Sequence, residues 1–309
     1  MIEQPITRKL SGLRNILIAG CGGGYDLVGA APLIAALSME GRRIHLASLT
    51  FSKIDELRLV KSYPDIPNMA AISSKSARED IYCPEAWLAR WMKERLRIDP
   101  TIWLFRKTGV QPLLRAYQQL ARELKLDGII LLDGGVDALL RGDETELGTP
   151  EEDYVSLAAV SMIEGPTRVL ACLGMGAERG VRHSQVFERI MELTALDAYW
   201  GACALLPGTK PGDMYLEALQ YISTHQADQK RSHIHASVKW AMGRGEELEP
   251  PVWPWPLLNM MWFFSLPDVA ATHLLLPYLK DTEEILQVSF VIRGARKTMP
   301  IQDSDQIPL

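Results

Sequence analysis

The chain has 309 residues, 47% of them apolar and 23% charged, and a formal net charge of −5 at pH 7. That length is near the limit for one hydrophobic core, and the composition is ordinary for a globular protein, which argues against long disorder. No block of five or more like charges occurs, so the sequence predicts no nucleic-acid-binding arm.

The four cysteines, Cys21, Cys83, Cys172 and Cys203, lie far apart and form no C-x-x-C pair. A disulfide framework and a structural zinc site are therefore not expected, and a cytoplasmic, reducing location is. The first 20 residues carry mixed charge and no apolar run of signal-peptide length. The most apolar late stretch, from Val252 to Leu279, is broken by Pro254, Pro256, Pro267 and Asp268. It falls short of the roughly 20 uninterrupted residues a membrane helix needs and reads as buried core.

In chain order, "NILIA" at 15–19 reads as a strand buried on both faces. A glycine loop and a helix follow, with the helix starting near Gly29, carrying Pro32 in its first turn and ending at Gly41. "RRIHLASLTF" at 42–51 is a second strand, completing a βαβ unit with a parallel pair. Residues 52–108 break the alternation and read as an inserted helical lobe or lid. Its Trp/Arg helix, 85–96, places Trp87, Arg90 and Trp91 on one face, either as cover for a ligand or as core packing.

Alternation resumes with a helix at 110–125, a strand at 127–133 and a helix from about 150, where Thr149 is a good N-cap and Pro150 suits the first turn. A strand at 168–174 comes next. It is followed by helices at 184–195, 212–225 and 231–242, a strand near 259–265, a helix at 268–280 and a final strand near 286–292. The pattern predicts one α/β domain with a doubly wound, mainly parallel, Rossmann-like sheet.

Three strands end in loops of unusual composition: "GCGGGYD" at 20–26, "DGGVDALLRGDETELGTP" at 133–150, and "GMGAERG" at 174–180. Parallel strands bring such loops to one edge of the sheet, where α/β proteins bind ligands. Gly22, Gly23 and Gly24, with Tyr25 and Asp26, offer bare backbone N–H groups ahead of a helix, which suits a phosphate or carboxylate. The same glycines would also serve a plain tight turn. The loop is not a Walker A motif, and Tyr25 stands where a dinucleotide fingerprint has its third glycine.

Asp133, flanked by Gly134 and Gly135, and Asp137 are candidates to act as a base, to orient a substrate or to hold Mg²⁺. A turn-capping role for Asp133 is the alternative. Asp143 is a further ligand-binding candidate, although Asp143 and Glu144 also fit a solvated face. Arg141 and Arg179 are candidate clamps for an anion, or ordinary surface arginines, and Gly176 marks a second close approach of backbone.

Two sharper readings stand beside these. "AGCGG" has the outline of a nucleophile elbow, with Asp133 and His183 following in the order acid, base, so Cys21 is a candidate nucleophile; a first-strand position counts against it. His233 and His235 invite a metal, but residues at i and i+2 do not share a helix face.

The segments "AGCGGGYDLVGAAPL" and "LLDGGVDALLRGDETELGTPEEDYVSL" together resemble the DUF1152 family, bacterial and archaeal proteins with no assigned function. The resemblance implies a Rossmann-like α/β fold. It also implies a shared site at Gly22, Gly23, Gly24, Asp26, Asp133, Gly134, Gly135, Asp137, Arg141, Gly142 and Asp143, and it brings no catalytic role. The expected function is an enzyme that acts on a small anionic metabolite, nucleotide-linked or otherwise, by group transfer or hydrolysis. A nucleotide or Mg²⁺ is the cofactor to look for. The alternatives are a non-catalytic ligand-binding or scaffold subunit acting with a catalytic partner, and a Cys-Asp-His hydrolase using Cys21; a homo-oligomer or a complex with a partner protein is the assembly to look for.

Overall fold

The structure, a computed structural model, describes residues 3–144, 150–178, 181–226, 232–245 and 256–299. Its framework among these residues is a nine-stranded sheet: β1 Asn15–Gly20, β2 Arg43–Leu49, β3 Lys61–Ser62, β4 Met69–Ile72, β5 Ile102–Phe105, β6 Gly128–Asp133, β7 Thr167–Leu173, β8 Tyr199–Ala204 and β9 Met260–Ser265. The order across the sheet is β3-β4-β5-β2-β1-β6-β7-β9-β8.

The five central strands, β5-β2-β1-β6-β7, run parallel, while β3 and β4 on one side and β9 and β8 on the other pair antiparallel. The sheet is therefore mixed, with as many antiparallel pairings as parallel ones, rather than mainly parallel. The physical reason lies in the connections. The short link at residues 63–68 can only reverse direction, which makes β3 and β4 antiparallel, whereas parallel neighbours need crossovers such as the Ala31–Met39 helix between β1 and β2. β8 reaches β9 through the helices Lys210–His225 and His233–Ala241, a connection long enough for either direction.

Strand order reverses between β1 and β6. From β1 the chain moves outward to β2 and β5, then returns to the other side of β1 for β6 and β7. Gly20 at the end of β1 stands opposite Leu132, and the Cys21 N–H donates to the Leu132 carbonyl at 2.7 Å. The two following loops are thus bound together at their roots.

The period-2 alternation of strands divides the apolar residues between two cores. Leu17, Ala19, Ile129 and Leu131 face the helices Val110–Glu123 and Pro150–Ser161, meeting Leu113, Tyr117, Val155 and Ala159. Ile16, Ile18, Ile130 and Leu132 face the other way, toward Ala31–Met39, Pro84–Trp91 and Lys210–His225. Burial of each such side chain contributes about 1.5–3 kcal/mol before the entropy of ordering is set against it. The open edge at β8 is covered: the Gln4 amide donates to the Ala202 carbonyl at 2.8 Å, close against Gly201.

Residues 52–108 contribute β3, β4 and β5 to the sheet as well as the inserted helix Pro84–Trp91. Trp87 and Trp91 in Pro84–Trp91 are core residues rather than ligand cover, with the Arg90 guanidinium 5.5 Å from the Trp87 ring. The helix after the glycine loop begins with a 3₁₀ turn, Asp26–Ala30, before Ala31–Met39. The expected helix at 268–280 is two short ones, Leu266–Ala271 and Leu276–Leu279. The N-cap role expected of Thr149 lies outside the described residues. No helix among the described residues is long and apolar enough to cross a membrane.

The last predicted strand, 286–292, is instead part of the helix Ile285–Thr298. Its apolar residues follow a helical stripe: Val288 and Ile292, four apart, are buried, while Leu286 and Phe290 stand in solvent. A strand would put all four on one face, so mutation separates the two arrangements. Ile292→Ala is expected to cost about 2–5 kcal/mol in denaturant unfolding, and Phe290→Ala to stay within about 0.5 kcal/mol of the parent. Equal costs at the two positions would contradict the helix.

Candidate functional site

Three carboxylates converge where β1 and β6 end. One ligand oxygen each from Asp26, Asp133 and Asp153 lies within 4.8 Å of the others. Asp26 opens the 3₁₀ turn after the glycine loop, Asp133 is the last residue of β6, and Asp153 sits in the first turn of Pro150–Ser161. Asp133 and Asp153 are buried and Asp26 is partly exposed, so the cluster has one side toward solvent.

The backbone holds these groups in place. Asp26 Oδ2 accepts from the Gly22 N–H at 2.7 Å, and its carboxylate also accepts from the Gly134 N–H. Asp133 Oδ2 accepts from the Ala138 N–H at 3.0 Å. Glu178, in the third loop, accepts from the N–H groups of Val136 and Gly176. Each of the three loops therefore gives its N–H groups to a carboxylate of this chain, a stable partnership for a buried anion.

The glycines are needed for space. A Cβ on Gly22 would lie 2.8 Å from Asp153 Oδ1 and 3.0 Å from Asp26 Oδ2, and one on Gly134 would lie 2.6 Å from Asp26 Oδ1. Gly23 is pressed against the Phe51 ring, and Gly24, at φ +72°, against the Tyr82 hydroxyl. Gly22 and Gly134, expected to cradle an outside anion, instead let an internal one approach.

The electrostatics are one-sided. Burial pushes the Asp26 carboxyl up to about 7 against its two backbone hydrogen bonds, with Asp137 and Glu85 adding to the shift. Burial, then Asp26, Asp137 and Glu178, raises Asp133 well above the carboxylate range; burial, then Asp133 and Asp26, does the same to Asp153. Glu178 is pushed up to about 8, by burial first and then by Asp137. Among the described residues no lysine or arginine forms an ion pair with Asp26, Asp133 or Asp153. Buried carboxylates without a counter-charge must either take up protons or meet a cation.

The other expected residues fall in different places. Asp137 opens the turn Asp137–Leu139 and is buried, with its charge acting on all three aspartates. The Tyr25 carbonyl accepts from His235 Nε2 at 2.8 Å while His235 Nδ1 meets the Tyr215 hydroxyl at 2.7 Å. A carbonyl can only accept, so Nε2 carries the proton and Nδ1 accepts from Tyr215. With both ring nitrogens engaged and burial lowering its pKa to about 4, His235 is a neutral strut under the glycine loop rather than a metal ligand.

Arg141 pairs with Glu192 at 3.5 Å. Asp143 and Glu144 are buried, not a solvated face; Glu144 accepts from the N–H groups of Arg141 and Gly142 at 2.7 and 2.8 Å. Arg179 lies outside the described residues. The Cys21 reading is overturned. Its thiol is fully buried and donates to the Asp153 carbonyl at 3.5 Å, and burial together with Asp153, Asp133 and Asp26 raises its pKa instead of lowering it. His183 is half-buried at the start of His183–Ala195, and burial lowers its pKa.

Asp153 and Glu178 are the site residues that sequence reasoning missed. Asp153 sits within "PEED", where acids in a first helical turn look like ordinary helix-dipole partners. Only the meeting of that turn with Gly22 distinguishes it, and this contact is not local in sequence.

Residues 17–293 match the family model described as "Protein of unknown function (DUF1152)". No curated protein and no solved structure matches the chain.

The raised carboxyls bear on stability. Asp26, ordinarily 3.8, and Glu178, ordinarily 4.5, stay protonated in the fold up to about 7 and about 8 but ionise in the unfolded chain. Their contribution is fully present below about pH 4 and is lost as pH rises through those folded values. Denaturant unfolding of metal-free Asp26→Asn and parent at pH 5, 6.5 and 8 should show the variant gaining relative stability at each step upward. A pH-independent difference would contradict the raised Asp26 pKa.

Proposed function

The chain belongs to the DUF1152 family, and we propose that its aspartate cluster is a divalent-cation site serving an enzyme that acts on a small anionic metabolite. The observation that carries this reading is the convergence of Asp26, Asp133 and Asp153 within 4.8 Å with no basic partner among the described residues. Three carboxylate oxygens suit a hard cation such as Mg²⁺ or Mn²⁺. An octahedral site with bonds near 2.1 Å spaces its oxygens by about 3–4.2 Å, inside the 4.8 Å within which these three converge.

The location supports the same reading, since ligands of α/β sheets bind beyond the carboxyl ends of strands where the order reverses. A cation held there would polarise a ligand oxygen and make a bound water more acidic. Asp26 and Asp133 would be held by Gly22, Gly134 and Ala138, and Asp153 by its helix, so the site is organised before anything binds. In this reading Asp133 is a cation ligand rather than the base, leaving Asp137 as the group to orient or deprotonate the reacting molecule. Metal-assisted hydrolysis or group transfer, on a phosphorylated or nucleotide-linked substrate, is the reaction class that fits.

Thermal unfolding and calorimetry with Mg²⁺, Mn²⁺ and Ca²⁺ test the site. One ion per chain is expected, with a melting temperature that rises with ion concentration because only the folded state binds. The rise should be larger at pH 8 than at pH 5, since protons compete for the same oxygens. Asp153→Asn should abolish it. A chain that binds none of these ions at millimolar concentration does not have the proposed centre.

A further inference from the structure

We propose that Lys107, seated on the exposed ring of Phe51, is an anion subsite at the rim of the cluster that holds a phosphate group of the ligand. The inference rests on the cation reading above and adds the part of the site that recognises the ligand itself.

The rim is built from the ends of neighbouring strands. Phe51 follows β2 and Lys107 follows β5, and these strands pair in parallel, so both residues emerge at the edge where β1 and β6 end. The Phe51 ring lies flat against Gly23, with three ring carbons 2.6–2.8 Å from where a Cβ would stand. The preceding residue, Gly22, is the one that touches the Asp153 and Asp26 carboxylates. Lys107 Nζ stands 4.2 Å from the centre of the Phe51 ring and forms an ion pair with Glu152, the neighbour of Asp153 in sequence. A continuous path of contacts thus leads from the cluster through the glycine loop and the ring to the ammonium, and back through Glu152 to the helix that supplies Asp153.

Charge explains why a lysine is needed there. Three aspartates and one divalent cation leave the centre negative, and a phosphate brought to it meets repulsion unless a second cation stands nearby. The ammonium has three donors and one carboxylate partner, so it has capacity for a further oxyanion. Its side chain and the Phe51 ring are both substantially exposed, at 39% and 43%, which keeps that capacity open to a ligand. The ring face restrains the ammonium by cation–π attraction, and Gly23 is required because a side chain there would displace the ring.

The test uses the full chain and inorganic phosphate as probe. Calorimetry first measures Mg²⁺ alone, then phosphate at saturating Mg²⁺, for the parent, Lys107→Met and Lys107→Arg. The expected result is Mg²⁺ binding in all three, phosphate binding weakened about 10-fold or more in Lys107→Met, and recovery in Lys107→Arg. Mg²⁺ binding also reports that each variant is folded. Phosphate that binds Lys107→Met as well as the parent, or binds neither while Mg²⁺ binds both, overturns the subsite and leaves the cation centre standing. Absence of Mg²⁺ binding in the parent overturns both.

Discussion

The arrangement depends on one costly feature, the burial of several carboxyl groups at the junction of β1 and β6. An ionised carboxylate loses several kcal/mol of hydration on entering such an environment unless hydrogen bonds and opposite charge replace it. The fold supplies the hydrogen bonds from its own loops, with Gly22 and Gly134 on Asp26, Ala138 on Asp133, and Val136 and Gly176 on Glu178. It supplies no basic residue to Asp26, Asp133 or Asp153 among those described. A fold that organises anions this carefully and leaves the charge unbalanced is poised for a cation or a proton, and the geometry of three oxygens favours the cation.

That constraint changes how the glycine-rich loop is understood. A run of glycines after a parallel strand can serve two physical ends: it can bare N–H groups for a bound anion, or it can remove Cβ atoms so that something else fits. Composition cannot separate these, because both need the same residues at the same place. Here the second dominates. Gly22 and Gly134 admit carboxylates, Gly23 admits an aromatic ring and Gly24 admits the Tyr82 hydroxyl.

Much of the frame was legible in the sequence for the same reason that it is stable. The strands β1, β2, β6 and β7 are short apolar runs bounded by glycine or charge, and they locate the loops correctly. The outer strands were legible only in part: β9 is the strand expected near 259–265, whereas β8 was not expected. β3 has two residues and β5 four, too few to show a period, and Ile285–Thr298 has apolar residues that satisfy strand alternation until burial separates Val288 and Ile292 from Phe290. Within the site, Asp26 and Asp133 stood out because glycines adjoin them. Asp153 did not, because its glycine is Gly22, more than a hundred residues away.

The antiparallel edges leave the position of the carboxylate cluster unchanged, and the topology explains why. A site at a reversal of strand order needs only the strands that meet there and the loops that follow them. Antiparallel additions at β3-β4 and β9-β8 lengthen the sheet without moving β1 from its place beside β6. The outer strands still matter through their ends. β5, invisible as a strand, carries Lys107 to the rim, and β2 carries Phe51, so recognition is assembled from the periphery while the charged centre is fixed by the core. A division of that kind lets the carboxylate cluster remain rigid while the residues that meet the ligand stay exposed.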